Sequence, residues 1–149
     1  MSSTPAPRKV IIDTDPGIDD AMAILYALAS PELDVIGLTT VFGNAHVETC
    51  TTNALHILDV AGRADIPVAQ GAGRPLAMPY RGPATFVHGY NGLADIPMAP
   101  QSRRPHALDA AHFIIEQVKA APGEITLVPI GPLTNIALAM LLWPELPKH

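Results

Sequence analysis

Apolar residues along the chain fall into short runs that alternate between the spacing of strands and the spacing of helices. Residues 10–14 form a short β-branched run that ends in polar residues, which is typical of a buried strand. Residues 19–29 combine helix-forming residues with acidic residues in the first turn, where the helix dipole favours them. The same alternation continues, and we predict strands over residues 10–14, 33–41, 66–71 and 124–130 and helices over residues 19–29, 44–62, 106–123 and 131–142.

Strands that alternate with helices indicate an α/β domain. We therefore expect an open, mostly parallel sheet with flanking helices and a Rossmann-like core. We predict that residues 1–8 form a disordered tail and that residues 9–149 belong to one domain. The proline-rich segment over residues 71–105 shows little periodicity, and loops of this length inside compact domains are usually functional or mobile.

The composition of the 149-residue chain argues against some classes of protein. Hydrophobic residues make up 48% and charged residues 15%, which supports a packed core and argues against disorder. The formal net charge of -5 argues against nucleic acid or an anionic membrane as a partner. Cys50 is the only cysteine and the first residues lack the apolar stretch of a signal peptide, so we expect a cytoplasmic protein. No run of apolar residues is long enough to span a membrane.

Four aspartates crowd the end of the first predicted strand: Asp13, Asp15, Asp19 and Asp20. Like charges at this spacing raise one another's pKa values and cost stability unless another group offsets them. In a parallel sheet, ligands bind outside the carboxyl ends of the strands, and residues 43–44 and 130–131 follow two further strands at that edge. Grouped carboxylates are hard oxygen ligands, so the pattern favours a Ca²⁺ or Mg²⁺ site.

Other interpretations of the aspartates match the sequence less well. One or two of them could cap the following helix, but capping does not need four carboxylates. An EF-hand loop fails, because Gly17 stands at its fifth position and Ile24 at its twelfth, where that loop needs an acidic or amide residue and a glutamate. A Mg²⁺-dependent phosphatase with Asp13 as nucleophile stays open as an alternative, although Gly17 stands where that pattern has threonine or valine.

Five segments of the chain match one known family in order and spacing. They are DTDPGIDDA (residues 13–21), TTVFGN (39–44), TTNAL (51–55), HGYNG (88–92) and ITLVPIGPLTNIALA (125–139). On these segments the sequence resembles the nucleoside hydrolases of the inosine-uridine-preferring type. The resemblance implies an enzyme that cleaves the N-glycosidic bond of ribonucleosides with water and uses a bound Ca²⁺ that also holds the ribose diol.

The resemblance also implies which residues hold the Ca²⁺. Asp15 would ligate the ion and act as general base on its bound water, Asp20 would be a bidentate ligand, and the backbone carbonyl of Ile130 would be another ligand. Asp13 would orient its neighbours. A carboxylate base is useful beside Ca²⁺ because this ion lowers the pKa of water only weakly, and general base catalysis is worth about 10²–10⁴-fold.

Three further residues are implied to act on the substrate. Asp19 would accept a hydrogen bond from a ribose hydroxyl, with help from Asn44. His88 would line the nucleobase pocket, and an ordinary loop histidine is the alternative interpretation. We count Asn44 and His88 with Asp15 as the candidate catalytic residues. We expect Asn135 to fix the start of its helix rather than to touch substrate.

Members of this family are considerably longer than this chain, and their second half carries further groups that bind Ca²⁺ and ribose. We therefore expect a truncated family domain, and a non-catalytic remnant that binds Ca²⁺ or ribose is the alternative function. The resemblance further implies a ribonucleoside as partner and assembly into a homo-oligomer, as a dimer or tetramer. The preference between purine and pyrimidine nucleosides stays open.

Overall fold

The computed structural model describes residues 6–149. Its strands are β1 (Arg8–Thr14), β2 (Leu33–Thr40), β3 (Val68–Gln70) and β4 (Ile125–Pro129). Its helices are α1 (Ile18–Ala29), α2 (Val47–Val60), α3 (Thr85–His88), α4 (Ala110–Ala120) and α5 (Thr134–Leu142), followed by a 3-10 turn at Leu146–Lys148. Each predicted strand and helix is present with shifted ends. Within this part of the chain, no helix is both long and apolar enough to cross a membrane.

The predicted disordered tail, residues 1–8, lies mostly outside the described residues. Within it, Arg8 already belongs to β1, where it pairs with Leu33 of β2. The Arg8 N–H also donates to the Glu32 carbonyl at 2.8 Å. The strand begins earlier than the apolar pattern indicates because main-chain pairing does not require an apolar side chain.

The four strands form one parallel sheet in the order β3-β2-β1-β4. This confirms the predicted α/β fold with a parallel sheet. The chain places β2 and β3 on one side of β1 and then returns to place β4 on the other side. The carboxyl end of β1 is therefore a topological switch point, the position at which open α/β sheets bind ligands.

Helices cover both faces of the sheet, so β1 is buried on both sides. Ile12 packs into one apolar cluster with Ile24 of α1 and Leu58 of α2. Ile11 belongs to a second cluster, together with Phe113 of α4. Successive side chains of a strand reach opposite faces, so a strand in a doubly covered parallel sheet needs a continuous apolar run.

Polar contacts hold the long segment between β3 and α4 to the rest of the domain. Arg103 donates to Asp59 Oδ1 at the end of α2 (2.8 Å) and to the carbonyls of Ala64 (2.9 Å) and Ile66 (3.0 Å). The segment also contains α3, which the sequence pattern does not predict. Four residues form little more than one helical turn, which is too short for a helical period to appear in the sequence.

Candidate active site

The ends of three strands meet at the switch point beside β1. The Asp13 carbonyl at the end of β1 accepts hydrogen bonds from the main-chain N–H groups of Ile130 (2.8 Å) and Gly131 (3.3 Å), which follow β4. The Thr14 carbonyl accepts a hydrogen bond from the N–H of Val41, which follows β2, at 3.0 Å. These main-chain bonds fix the residues that follow the three strands relative to one another.

Asp13 is enclosed in this junction and is only 1% exposed. Its Oδ1 accepts hydrogen bonds from Thr39 Oγ1 (2.6 Å) and Asn135 Nδ2 (2.8 Å), while its buried Oδ2 has no hydrogen-bond partner within residues 6–149. Burial raises the pKa of Asp13 to about 6, although the two hydrogen bonds act to lower it. A carboxyl group this enclosed has no room to attack a phosphoryl group, so the geometry does not favour the phosphatase alternative.

Asp15 is also buried, and its carboxylate lies against two glycines. Its Oδ2 accepts a hydrogen bond from the main-chain N–H of Asn44 at 2.8 Å. A Cβ atom at Gly43 would overlap that oxygen, and a Cβ atom at Gly131 would lie 2.6 Å from Oδ1. Burial is the main cause that raises the pKa of Asp15 to about 7, and the charge of Asp20 acts in the same direction.

Asp20 is buried and closes the start of α1 with its carboxylate. Its Oδ1 accepts a hydrogen bond from Thr14 Oγ1 (2.6 Å), and its Oδ2 accepts from the Gly17 N–H (3.2 Å) and from Asn44 Nδ2 (3.0 Å). Helix capping therefore accounts for part of the aspartate cluster. Asn44 connects the two carboxylates, because its N–H holds Asp15 and its side-chain amide holds Asp20.

Asp19 and His88 lie close to each other at the first turn of α1. The Asp19 side chain is 81% exposed, whereas His88 is buried at the end of α3. His88 Nδ1 accepts a hydrogen bond from the Ile18 N–H at 3.3 Å and lies 3.9 Å from Asp19 Oδ1. In the neutral imidazole the ring proton is then on Nε2, which is left as a donor. The structure thus places His88 beside the first turn of α1.

The prediction that Asn135 fixes the start of its helix is wrong, whereas the prediction that it does not touch substrate stays a prediction. We expected it to fix the start of its helix, but α5 has Leu133 at its N-cap and no side-chain cap. Asn135 is instead fully buried, and its Nδ2 donates to Asp13 Oδ1 (2.8 Å) and to the Thr40 carbonyl (2.9 Å). Its Oδ1 accepts from the Ala72 N–H at 2.9 Å. The sequence contains a signal for this role, because Asn135 stands directly before the apolar run of α5. An amide that is buried there needs polar partners in other parts of the chain.

The carboxylate and carbonyl oxygens at this edge are of the hard donor type that Ca²⁺ takes as ligands. Within residues 6–149 no lysine or arginine forms an ion pair with Asp13, Asp15 or Asp20. Ile130 follows β4 at the same edge and is 43% exposed. The same residues contain no group of three or more His, Cys, Asp or Glu side chains that could hold a metal ion. Two carboxylates and one carbonyl would be a partial shell, because Ca²⁺ takes about 6–8 oxygen ligands.

Comparison with known proteins decides the family. A family model described as inosine-uridine preferring nucleoside hydrolase matches residues 10–149. The chain belongs to this family. It is 54% identical over 143 residues to the probable uridine nucleosidase 2 of Arabidopsis thaliana, a match that covers 95% of this chain and 44% of that protein. It is 49% identical over 136 residues to the non-specific ribonucleoside hydrolase RihC of Salmonella agona (strain SL483), which covers 91% of this chain and 44% of that protein.

A solved structure of this family shares the fold of the chain. The plant nucleoside hydrolase PpNRh1 matches it with a TM-score of 0.92 and 52% sequence identity, over 95% of this chain and 45% of that structure. The chain therefore spans less than half the length of the relatives it matches. The names of these relatives differ in the nucleoside that they specify, so membership of the family does not fix the base preference.

Proposed function

We propose that the candidate active site hydrolyses the N-glycosidic bond of ribonucleosides and releases ribose and the free base. The observation that carries this proposal is the buried pair of Asp15 and Asp20, connected by Asn44 at the switch point of the sheet. Membership of the nucleoside hydrolase family supports it. Because the chain spans less than half the length of its relatives, the activity of the whole protein is part of the proposal.

Asp15 is the proposed general base that takes a proton from the attacking water. General base catalysis is most effective when the pKa of the base lies near the working pH. In the cation-free chain burial raises the pKa of Asp15 to about 7, and Ca²⁺ bound to the same carboxylate would lower it. The Asn44 N–H donates to Oδ2 of this carboxylate, which holds the proposed base in one orientation.

Asp15 and Asp20, with the backbone carbonyl of Ile130, are the groups that would hold Ca²⁺. When bound, the ion would lower the pKa of a water molecule and bind the ribose diol. The carboxylates also act on the reaction directly. Glycoside hydrolysis passes through an oxocarbenium-like transition state, and nearby anionic oxygens stabilise its positive charge.

Asp19, Asn44 and His88 are proposed to bind the nucleoside. The exposed carboxylate of Asp19 accepts a hydrogen bond from a ribose hydroxyl, and Asn44 assists from the other side of the turn. His88 donates from Nε2, because its Nδ1 already accepts from the Ile18 N–H. It therefore fits an acceptor atom of the nucleobase, such as a carbonyl oxygen or an unprotonated ring nitrogen.

A cavity beside Gly43, the glycine that Asp15 packs against, offers space for a small ligand. It has a volume of about 560 Å³ and is lined by Phe42, Gly43 and residues in the range 75–82. Phe42 and Tyr80 pack edge to face in its wall, with ring centroids 5.0 Å apart. Pockets of this size with apolar and aromatic walls are typical of small-molecule sites.

We also infer a cytoplasmic location and a homo-oligomeric state. The proposed location rests on Cys50, which is a free, buried thiol. Unpaired thiols are typical of proteins in the reducing cytosol. The oligomer follows from the family resemblance, and size-exclusion chromatography with light scattering measures it.

Ribose release from inosine, uridine, adenosine and cytidine tests the proposed function, first with Ca²⁺ and then with a chelator. We expect release that the chelator abolishes and that Asp15→Asn lowers by about 10²–10⁴-fold, because that variant lacks the base. Asp34→Asn is the matched control, since Asp34 is exposed at the amino end of β2. Ca²⁺ binding in a calorimeter without release from any of the four nucleosides would contradict the hydrolase proposal and favour the non-catalytic alternative.

A further inference from the structure

We propose that Asn135 is a positioning residue of the candidate active site. Its side chain sets the relative position of the Asp13 carboxylate, the end of β2 and the segment that follows β3. The proposal rests on the proposed function for what the site does, whereas the geometry of Asn135 is independent of that function. Asn135 lies in the first turn of α5 and is 0% exposed.

Three different parts of the chain form hydrogen bonds with the Asn135 amide. Its two N–H groups donate to Asp13 Oδ1 at 2.8 Å and to the Thr40 carbonyl at 2.9 Å. Its oxygen accepts from the Ala72 N–H at 2.9 Å. A carboxylate of the same shape would lose both donors and would repel Asp13, so this position requires an amide.

The main chain at Gly71 packs directly against the Asn135 side chain. A Cβ atom at Gly71 would overlap the Asn135 amide, so a residue without a side chain stands there. The Gly71 N–H donates to the Thr40 carbonyl at 2.9 Å, and the same carbonyl accepts from Asn135. The end of β2 and the end of β3 are therefore tied to each other at the point where Asn135 enters.

One of the three bonds leads to the proposed general base. The Ala72 carbonyl accepts a hydrogen bond from the Phe42 N–H at 3.0 Å. Phe42 lies in the short segment that ends at Asn44, whose N–H holds Asp15. A shift of Ala72 would therefore change the position of the group that orients Asp15.

Another bond leads to the proposed carbonyl ligand. Thr39 and Asn135 are the two side chains that donate to Asp13 within residues 6–149, and Asp13 Oδ2 has no partner there. The Asp13 carbonyl in turn accepts from the Ile130 N–H at 2.8 Å. Asn135 thus acts on Ile130 through Asp13, although it touches neither Ca²⁺ nor substrate.

Asn135→Asp is the variant that separates positioning from packing, because it keeps the volume of the side chain and removes both donors. We expect the backbone amide NMR signals of Asn44 and Ile130 to shift in this variant. We expect the affinity for Ca²⁺ alone, measured by calorimetry, to fall by about 10–100-fold, the usual effect of removing a group that orients metal ligands. Ribose release should fall with it.

Val118→Ala is the matched control. Val118 is buried near the end of α4, the helix that leads into the amino end of β4, so its loss destabilises the core away from the site. We expect it to lower the melting temperature and to leave the Asn44 and Ile130 signals and the Ca²⁺ affinity unchanged. Asn135→Ser repeats the measurement without an added charge if Asn135→Asp does not fold.

The double variant Asp13→Asn with Asn135→Asp exchanges the two side chains and tests whether the lost Ca²⁺ affinity can be restored. It restores one donor between the two positions, and the Thr40 carbonyl keeps its bond from Gly71. We expect the exchange to restore much of the Ca²⁺ affinity that Asn135→Asp loses. The proposal is overturned if Asn135→Asp folds and leaves the Asn44 and Ile130 signals where they are in the parent chain. A parent chain that binds no Ca²⁺ would count against the proposed function, and the NMR signals would still decide the role of Asn135.

Discussion

Close contact with main chain changes the chemistry of single residues in this protein. An aspartate in water has a pKa of about 3.9 and is a poor base at neutral pH. Asp15 lies against Gly43 and Gly131, and the burial that results raises its pKa to about 7. The Asn44 N–H holds the same carboxylate in one orientation. The strength of the proposed base therefore depends on two neighbours that have no side chain.

Gly43→Ala tests this dependence at the scale of one atom. The new methyl group would overlap Asp15 Oδ2, so the carboxylate or the main chain has to move. We expect ribose release to fall by roughly 10²-fold, the effect that a misplacement of about 1 Å has on a catalytic group. Initial rates at saturating nucleoside measure it.

Gly73→Ala is the control for this variant. A methyl group at Gly73 would meet Val47 Cγ1 at 3.4 Å, which is an ordinary contact. We expect it to keep both the activity and the stability of the parent chain. Equal activity in the two variants would show that close contact at Gly43 does not position Asp15.

At the scale of elements, helix starts carry the polar contacts that order this domain. Asp20 closes the start of α1, and Asp109 is the N-cap of α4. Asp109 Oδ1 accepts from the His112 N–H at 3.0 Å, and Oδ2 lies 2.7 Å from His112 Nδ1. The first N–H groups of a helix have no partner inside the helix, so a carboxylate there satisfies them and interacts well with the helix dipole.

Asp109→Ala should lower the free energy of unfolding by about 1 kcal/mol at neutral pH, the usual cost of losing an N-cap. Partial burial acts to raise the pKa of Asp109, but the hydrogen bonds and the charge of His112 outweigh it and hold the pKa below its ordinary value. A lowered pKa means that the charged group stabilises the fold above the ordinary pKa and that this contribution is lost as the pH falls through the folded value. Urea unfolding of the parent and the variant at neutral pH and near pH 3 measures this difference.

Asp109→Asn is the matched variant for the pH dependence, because it keeps a capping oxygen and removes the charge. We expect it to lose less stability than Asp109→Ala at neutral pH. The difference between Asp109→Asn and the parent chain should shrink as the pH falls. A difference that stays constant between neutral pH and pH 3 would show that the charge of Asp109 contributes nothing.

At the scale of the whole molecule, the order β3-β2-β1-β4 decides where the acidic residues meet. The strand order reverses at β1, and Asp15, Asp20 and Asn44 lie beside the carboxyl end of this strand. Within residues 6–149 the two aspartates form no ion pair with lysine or arginine. A bound cation would favour the charged form of these carboxylates, and binding would be coupled to stability.

Ca²⁺ should raise the melting temperature of the chain, and a chelator should reverse the effect. A ligand at about 100 times its dissociation constant stabilises a protein by about 2.7 kcal/mol, which is roughly 5–10 °C for a domain of this size. Asp15→Asn and Asp20→Asn should lose most of this shift, whereas Asp34→Asn should keep it. Differential scanning calorimetry measures it, and an equal shift in all three variants would place the Ca²⁺ elsewhere.

The sequence predicts the local features of this protein well because local spacing determines them. The apolar runs predict the strands and the main helices, and the alternation of the two predicts a parallel α/β sheet. The five collinear segments predict the family, which the family match over residues 10–149 confirms. Roles of individual residues at the candidate site are predictions that the experiments above address.

The tertiary structure alone decides which of these residues touch. Asn135 and Asp13 are 122 residues apart in sequence, so no local pattern indicates their hydrogen bond. His88 likewise accepts a hydrogen bond from Ile18, which is 70 positions away in sequence. It also lies in a helix that is too short to show a helical period in the sequence. The sequence by itself determined the fold class and the position of the acidic residues at the end of β1. Only the folded chain decided their burial, their partners and their pKa values, because those depend on how closely distant segments approach one another.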